Sequence, residues 1–205
     1  MSEQAQTYPV SVTGELSEPP GRGWWLIKWL LALPHFVVLA FLWIAFFVVT
    51  VIAFFAILFT AKYPRGLFDF NVGVMRWTWR VGFYSYQVLG TDKYPPFTLK
   101  PGGYPADLEM EYPETLSRGL VLVKWWLLVL PHYLIVSIFQ GGSGSRGGGG
   151  LVFLLALFAG VALLFTGRYP EDIFDLAVGL NRWGYRVYAY AALMTDKYPP
   201  FRLWD

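Results

Sequence analysis

Residues 24–60 read WWLIKWLLALPHFVVLAFLWIAFFVVTVIAFFAILFT, and in this stretch only Lys28 and His35 carry ionisable side chains. An apolar run of that length is too long for a buried helix of a small soluble domain, and it points to a bilayer. As one straight helix it would extend about 55 Å at 1.5 Å per residue, against a hydrocarbon core of about 30 Å. Two readings follow: a tight hairpin turning near Phe41 to Ala45, or one long helix kinked at Pro34. The composition agrees with a membrane setting. The chain is 56% hydrophobic and 20% aromatic with only 15% charged residues, outside the usual soluble range.

Much of the sequence is said twice. Lys28-Trp29 and Leu33-Pro34-His35 return as Lys124-Trp125 and Leu130-Pro131-His132. Phe59-Thr60-Ala61-Lys62-Tyr63-Pro64 with Phe68-Asp69 returns as Phe165-Thr166-Gly167-Arg168-Tyr169-Pro170 with Phe174-Asp175, and Thr91-Asp92-Lys93-Tyr94-Pro95-Pro96-Phe97 returns intact at 195–201. A repeat of this kind implies two related units that pack on each other. In the second copy, Leu120 to Gln140 is separated from Leu151 to Thr166 by GGSGSRGGGG, residues 141–150. That segment has the composition of a flexible spacer and cannot continue a helix in lipid.

The sequence therefore predicts an all-α integral membrane protein of two tandem repeats. The first covers 1–99, with a transmembrane hairpin at about 24–61 and an amphipathic interfacial helix at about 64–90. The second covers 104–205, with a hairpin at about 120–167 and an amphipathic helix at about 170–194. With hairpins in both copies, fifteen of the sixteen Lys and Arg residues fall on one side, Arg146 being the exception. The positive-inside rule makes that side cytoplasmic, with both termini and the Lys93–Pro113 connector on it and Ser143–Gly147 outside. Leu151–Thr166, at about 24 Å, is short for a full span.

Each amphipathic helix carries a polar stripe. Asp69, Arg76, Arg80 and Gln87 are spaced by seven, four and seven, and Asp175, Arg182 and Arg186 keep the first two intervals. At about 100° per residue these fall on one face. One reading is an interfacial helix with its aromatic residues in the headgroup boundary and its basic stripe toward the cytoplasm or anionic lipid. The other is a buried seam pairing Asp69 with Arg182 or Arg186, and Asp175 with Arg76 or Arg80. Tyr8–Thr13 and Tyr104–Glu111 partly alternate, as half-buried strands do, and Phe97–Leu99 and Phe201–Leu203 are placed to pair with them in a small cytoplasmic sheet.

Little here points to chemistry. The absence of cysteine removes disulfides and thiolates, the formal charge of +2 gives no nucleic-acid surface, and neither a nucleophile elbow nor a phosphate-cradling loop is present. His35 and His132 occupy equivalent positions, so a bis-histidine haem is one reading. The other is a local role beside Pro34 and Pro131, bonding a carbonyl freed by the proline.

The Leu-Pro-His pairs, Tyr63-Pro-Arg-Gly-Leu-Phe-Asp-Phe-Asn-Val-Gly73 and the two Thr-Asp-Lys-Tyr-Pro-Pro-Phe motifs resemble an uncharacterised family of bacterial, actinobacterial-type membrane proteins, domain of unknown function 4389. Pro170-Glu171-Asp172-Ile173 departs from the Pro-Arg-Gly-Leu of the first copy. The resemblance implies a multi-pass protein of the bacterial inner membrane and brings no activity, catalytic residue or cofactor. The expected class is a non-enzymatic accessory, scaffold or lipid-interacting subunit. Its partners would be the bilayer, a membrane protein or a second copy, with no nucleic acid. A small lipid or solute transporter and a haem electron-transfer protein are the alternatives.

Overall fold

A computed structural model describes residues 8–16, 20–141 and 150–204. The protein is mostly helical and contains one long apolar helix, α1 (Trp25–Thr60). α1 runs unbroken through 36 residues with Pro34 inside it, so the hairpin expected at 24–61 is not formed. No turn-forming residue lies between Phe41 and Ala45, and a continuous helix keeps the backbone bonds that a turn there would forfeit. The helix stops where Ala61 turns left-handed at φ 59° and its N–H reaches the Ile57 carbonyl at 2.8 Å.

A short loop then leads into α2 (Arg65–Tyr84), which runs back along α1. After β2 (Ala106–Met110) come α3 (Leu120–Val123), a π-helical turn at Lys124–Leu128, α4 (Leu130–Gln140), α5 (Leu151–Thr166) and α6 (Glu171–Ala191). The π-turn and Pro131 mark a 44° bend between 120–128 and 130–140, the usual accompaniment of a disturbed i→i−4 ladder. His132 to Phe165 is nine residues longer than His35 to Phe59, and the surplus falls between α4 and α5. A Cβ placed on Gly150 would lie 2.2 Å from the Gly141 nitrogen and 2.4 Å from the Phe139 carbonyl. The two ends of the Gly-rich segment therefore meet, and α3 to α5 together correspond to α1. Ser143–Gly147, placed outside by the charge argument, lies outside the described residues. That argument also loses its basis, because Lys28 and Lys62 now belong to opposite ends of a helix about 54 Å long.

α2 and α6 occupy the interior. Trp79, Phe83 and Tyr185 are buried, as are Arg76, Arg80 and Arg186. This corrects the interfacial placement expected for these helices. Their aromatic side fills the core, and the exposed apolar surface belongs to α1, α4 and α5. On the far side lies β1 (Val10–Gly14), antiparallel to β2 with Val10 opposite Met110 and Gly14 opposite Ala106. Val10, Val12, Ala106 and Leu108 face inward, while Ser11, Thr13 and Glu109 face out. The period of two sets this alternation. The expected strands at 97–99 and 201–203 are absent, and those residues are non-strand connector.

The strands are exchanged between the halves. β2 packs on α2 and β1 on α6, with Arg76 Nε donating to the Leu108 carbonyl at 2.8 Å and Arg182 Nε to the Val12 carbonyl at 3.1 Å. The Tyr8 hydroxyl donates to the Lys197 carbonyl, while that of Tyr104 donates to the Lys93 carbonyl.

Candidate functional site

Both Thr-Asp-Lys-Tyr-Pro-Pro-Phe motifs close over a buried lysine. Lys28 Nζ, 1% exposed, donates to the Thr91 carbonyl at 2.7 Å and pairs with Asp92 at 2.8 Å. Lys124 Nζ meets the Thr195 carbonyl at 3.0 Å and Asp196 at 2.7 Å. Each carboxylate uses its second oxygen to accept a backbone N–H just before the helix, from Gly21 at 2.5 Å and from Ser117 at 2.6 Å. The rings of Tyr84 and Tyr190 lie 5.1 and 5.7 Å from the respective ammonium groups, within cation–π range. A buried cation held by a carboxylate, a carbonyl and a ring is a satisfied one. This arrangement locks the motif onto the helix and offers no proton to a substrate.

The rest of each motif encloses a histidine. Phe97 stacks on His35 at 4.0 Å and Phe201 on His132 at 4.2 Å, with Tyr94 and Tyr198 tilted beside them. The Trp77 and Trp183 indole N–H groups donate to Nδ1 of His35 and His132, each at 3.1 Å, which fixes the neutral ring's proton on Nε2. The histidines therefore bond an indole, where a carbonyl freed by the neighbouring proline was expected. Each is enclosed by rings of its own half, and neither lines the cavity at the centre of the molecule. The convergence that a shared haem requires is not formed.

Of the stripe arginines, Arg76, Arg80 and Arg186 are buried and Arg182 is half-buried, with partners other than those expected. Asp107 of β2 accepts from Arg76 at 2.9 Å and Arg80 at 3.2 Å. Arg80 also reaches the Lys100 carbonyl at 2.9 Å; burial pulls its pKa down, and Asp107 opposes the shift. Arg182 and Arg186 reach the carbonyls of Val12, Leu203 and Arg202. Asp69 is exposed and pairs with Arg65 one turn away at 3.4 Å, and Asp175 is exposed. The predicted cross-repeat pairs are thus replaced by arginine contacts to strands and connectors. A guanidinium with five donors can satisfy several carbonyls at once.

Sequence reasoning missed Asp107, whose counterpart at the 96-residue offset that relates Lys28 to Lys124 is Ser11. It also missed the lysine pairs, although two lysines and two Thr-Asp dipeptides repeating together were a usable signal.

Between α1, α2 and the meeting point of α4 and α5 lies a cavity of about 520 Å³. A second of about 270 Å³ shares Trp43, Thr78, Gln87 and Gln140 with it. Among the described residues neither is lined by a charged side chain, and no group of three or more His, Asp or Glu side chains is placed to hold a metal ion.

No curated protein and no solved structure matches the chain. One family does, over residues 23–98 and 148–202. Each matched segment includes an apolar helix, α1 or the shorter α5, and one of the two buried helices, and ends just past a Thr-Asp-Lys-Tyr-Pro-Pro-Phe motif. The chain belongs to the family described as domain of unknown function (DUF4389).

Proposed function

We propose that this chain is a non-enzymatic membrane protein that embeds one apolar layer in a single leaflet and holds a polar layer in water, acting as a lipid-interacting or scaffold subunit. The observation that carries this reading is the outer face of α1, α4 and α5. Phe41, Phe47, Phe59, Ile138, Phe158 and Phe165 are each about 70% exposed or more. Contiguous apolar surface on that scale marks a membrane or partner contact. The opposite face carries Ser11, Thr13 and Glu109 on the strand pair.

Orientation follows from what stands beside the middle of α1. Trp43 Nε1 donates to Thr78, and Asn71 donates to Thr50; both pairs of residue numbers add to 121. With the Trp77–His35 bond, these contacts set Arg76 and Arg80 beside the stretch of α1 from about residue 35 to about residue 45, and with them comes Asp107. If α1 crossed the bilayer along its axis, Asp107 and the exposed Glu109 would sit within the hydrocarbon core. Charged side chains there cost about 2.5–3.5 kcal/mol each even on insertion scales. An in-plane helix avoids that cost and replaces the multi-pass arrangement and the two-sided topology built on it.

The absence of cysteine makes the test direct. Single nitroxides at Leu30→Cys, Phe41→Cys and Phe55→Cys, in phosphatidylcholine–phosphatidylglycerol vesicles, are expected to report one common depth. Residues 30 and 55 are about 37 Å apart along the axis. A profile deepest at 41 and shallow at both ends would restore a spanning helix and overturn the in-plane reading.

A further inference from the structure

The larger cavity carries a polar demand that the described residues leave unmet. Asn181 is 0% exposed. Its Nδ2 donates to the Ala177 carbonyl at 2.9 Å, which fixes the amide orientation and leaves Oδ1 as an acceptor. That oxygen is buried and has no hydrogen-bond partner among the described residues; the same holds for Gln87 Oε1 on the same wall. Other polar groups here are served internally: Trp43 donates to Thr78, and Tyr188 to Gln140. An unpaired buried acceptor costs about 1–3 kcal/mol, so two around one cavity call for a donor that the described residues do not supply.

The fold does not need them. At the 106-residue offset that relates Trp77 to Trp183, the counterpart of Asn181 is Met75, a buried core residue. Gln87 lies between Tyr84 and Leu89, a segment two residues longer than its counterpart from Tyr190 to Leu193. Each acceptor therefore occurs in one half without a like counterpart in the other, Gln87 in the first and Asn181 in the second.

The surroundings fix the ligand chemistry. Exposed Phe36 and Ala40 stand on the rim, so the cavity opens on the apolar face. Asn181 Oδ1, with its orientation fixed, calls for a group that donates, as a hydroxyl does. Among the described residues the lining is uncharged, which disfavours a phosphate, because a buried anion without a cationic partner carries a large desolvation penalty. A volume of about 520 Å³ falls within the usual range for small-molecule sites. We infer that the cavity binds the head of an uncharged, hydroxyl-bearing lipid of the diacylglycerol type, with Asn181 Oδ1 accepting from its one hydroxyl, Gln87 beside it and the acyl chains leaving past Phe36 and Ala40. The proposal rests on the membrane reading for access to lipid, but not on the orientation of α1.

Native mass spectrometry of the full chain, released from phosphatidylcholine vesicles containing equimolar dioleoylglycerol or dioleoyl phosphatidic acid, tests it. The expected result is one retained diacylglycerol and retention of phosphatidic acid at least about tenfold weaker. Asn181→Leu and Ala40→Trp are each expected to reduce the diacylglycerol adduct about tenfold; Ala40 is exposed on the rim, so its variant carries the test if Asn181→Leu does not fold. Equal retention of phosphatidic acid, or a diacylglycerol adduct that survives Ala40→Trp, would overturn the assignment. If no diacylglycerol is retained while the protein still floats with vesicles, this site fails and the membrane reading stands.

Discussion

Asp107→Asn is expected to lower stability by about 3–5 kcal/mol, the usual cost of leaving buried charge without its counter-ion. Asp107 serves Arg76 and Arg80 together, at 2.9 and 3.2 Å, and the Arg80 side chain is fully buried. Its oxygens also accept backbone N–H groups of Gly102 and Leu108, at 2.9 and 2.8 Å, so the substitution loosens the connector as well as the strand. Asp69→Asn belongs to the same stripe in sequence, and its effect is expected to stay within about 0–1 kcal/mol, because both members of its pair are more than half exposed. Thermal unfolding of both variants in detergent gives the comparison. A large shift for Asp69→Asn together with a negligible one for Asp107→Asn would refute the assignment of the arginines to β2.

The two ends of the Lys28–Asp92 pair are expected to behave unequally. Asp92→Ala strands an ammonium that is 1% exposed, and it also removes the acceptor for the Gly21 N–H; the expected loss is about 3 kcal/mol. Lys28→Met removes the buried charge, fills a similar volume and leaves a carboxylate that is 35% exposed and open to water, so its cost is expected to stay below about 1 kcal/mol. Asp196→Ala and Lys124→Met should repeat the inequality, since that pair has the same geometry at 2.7 Å. Equal losses for the two members of either pair would show that packing and not charge governs the site.

The elements of this fold were legible where periodicity or a terminator spoke clearly. The apolar run ends at Thr60, the strands fall within Tyr8–Thr13 and Tyr104–Glu111 to about a residue, and the stripe of Arg76 and Arg80 does share one face. Position within the molecule was less legible. An amphipathic helix looks the same in sequence whether its aromatic side meets lipid or a core, and α2 and α6 took the second course because α1 and α5 cover that side. The hairpin at 24–61 was inferred by likeness to the second copy, whose Gly-rich segment interrupts a helix that the first copy completes. At the candidate site, the histidines and lysines were visible as repeated residues, but their partners in Thr-Asp-Lys-Tyr-Pro-Pro-Phe lie roughly 60–70 residues away. Asn181 gave no sign at all, and Gln87 showed only as the last member of the polar stripe, since one amide in a helix and one in a turn resemble solvated surface until neighbours cover them.

The exchange of strands between the halves also constrains how the molecule is made. The Tyr8 hydroxyl bonds the Lys197 carbonyl across 189 positions of chain, and β1 rests on a helix that ends at Ala191. A ribosome adding about 5–20 residues per second needs roughly 10 to 40 s to bridge that interval. During that time β1 has no α6 to lie on, while α1 has already emerged with its phenylalanines bare. On the proposed membrane reading, the long helix finds lipid well before the polar layer can close, so docking at the bilayer comes ahead of completed folding.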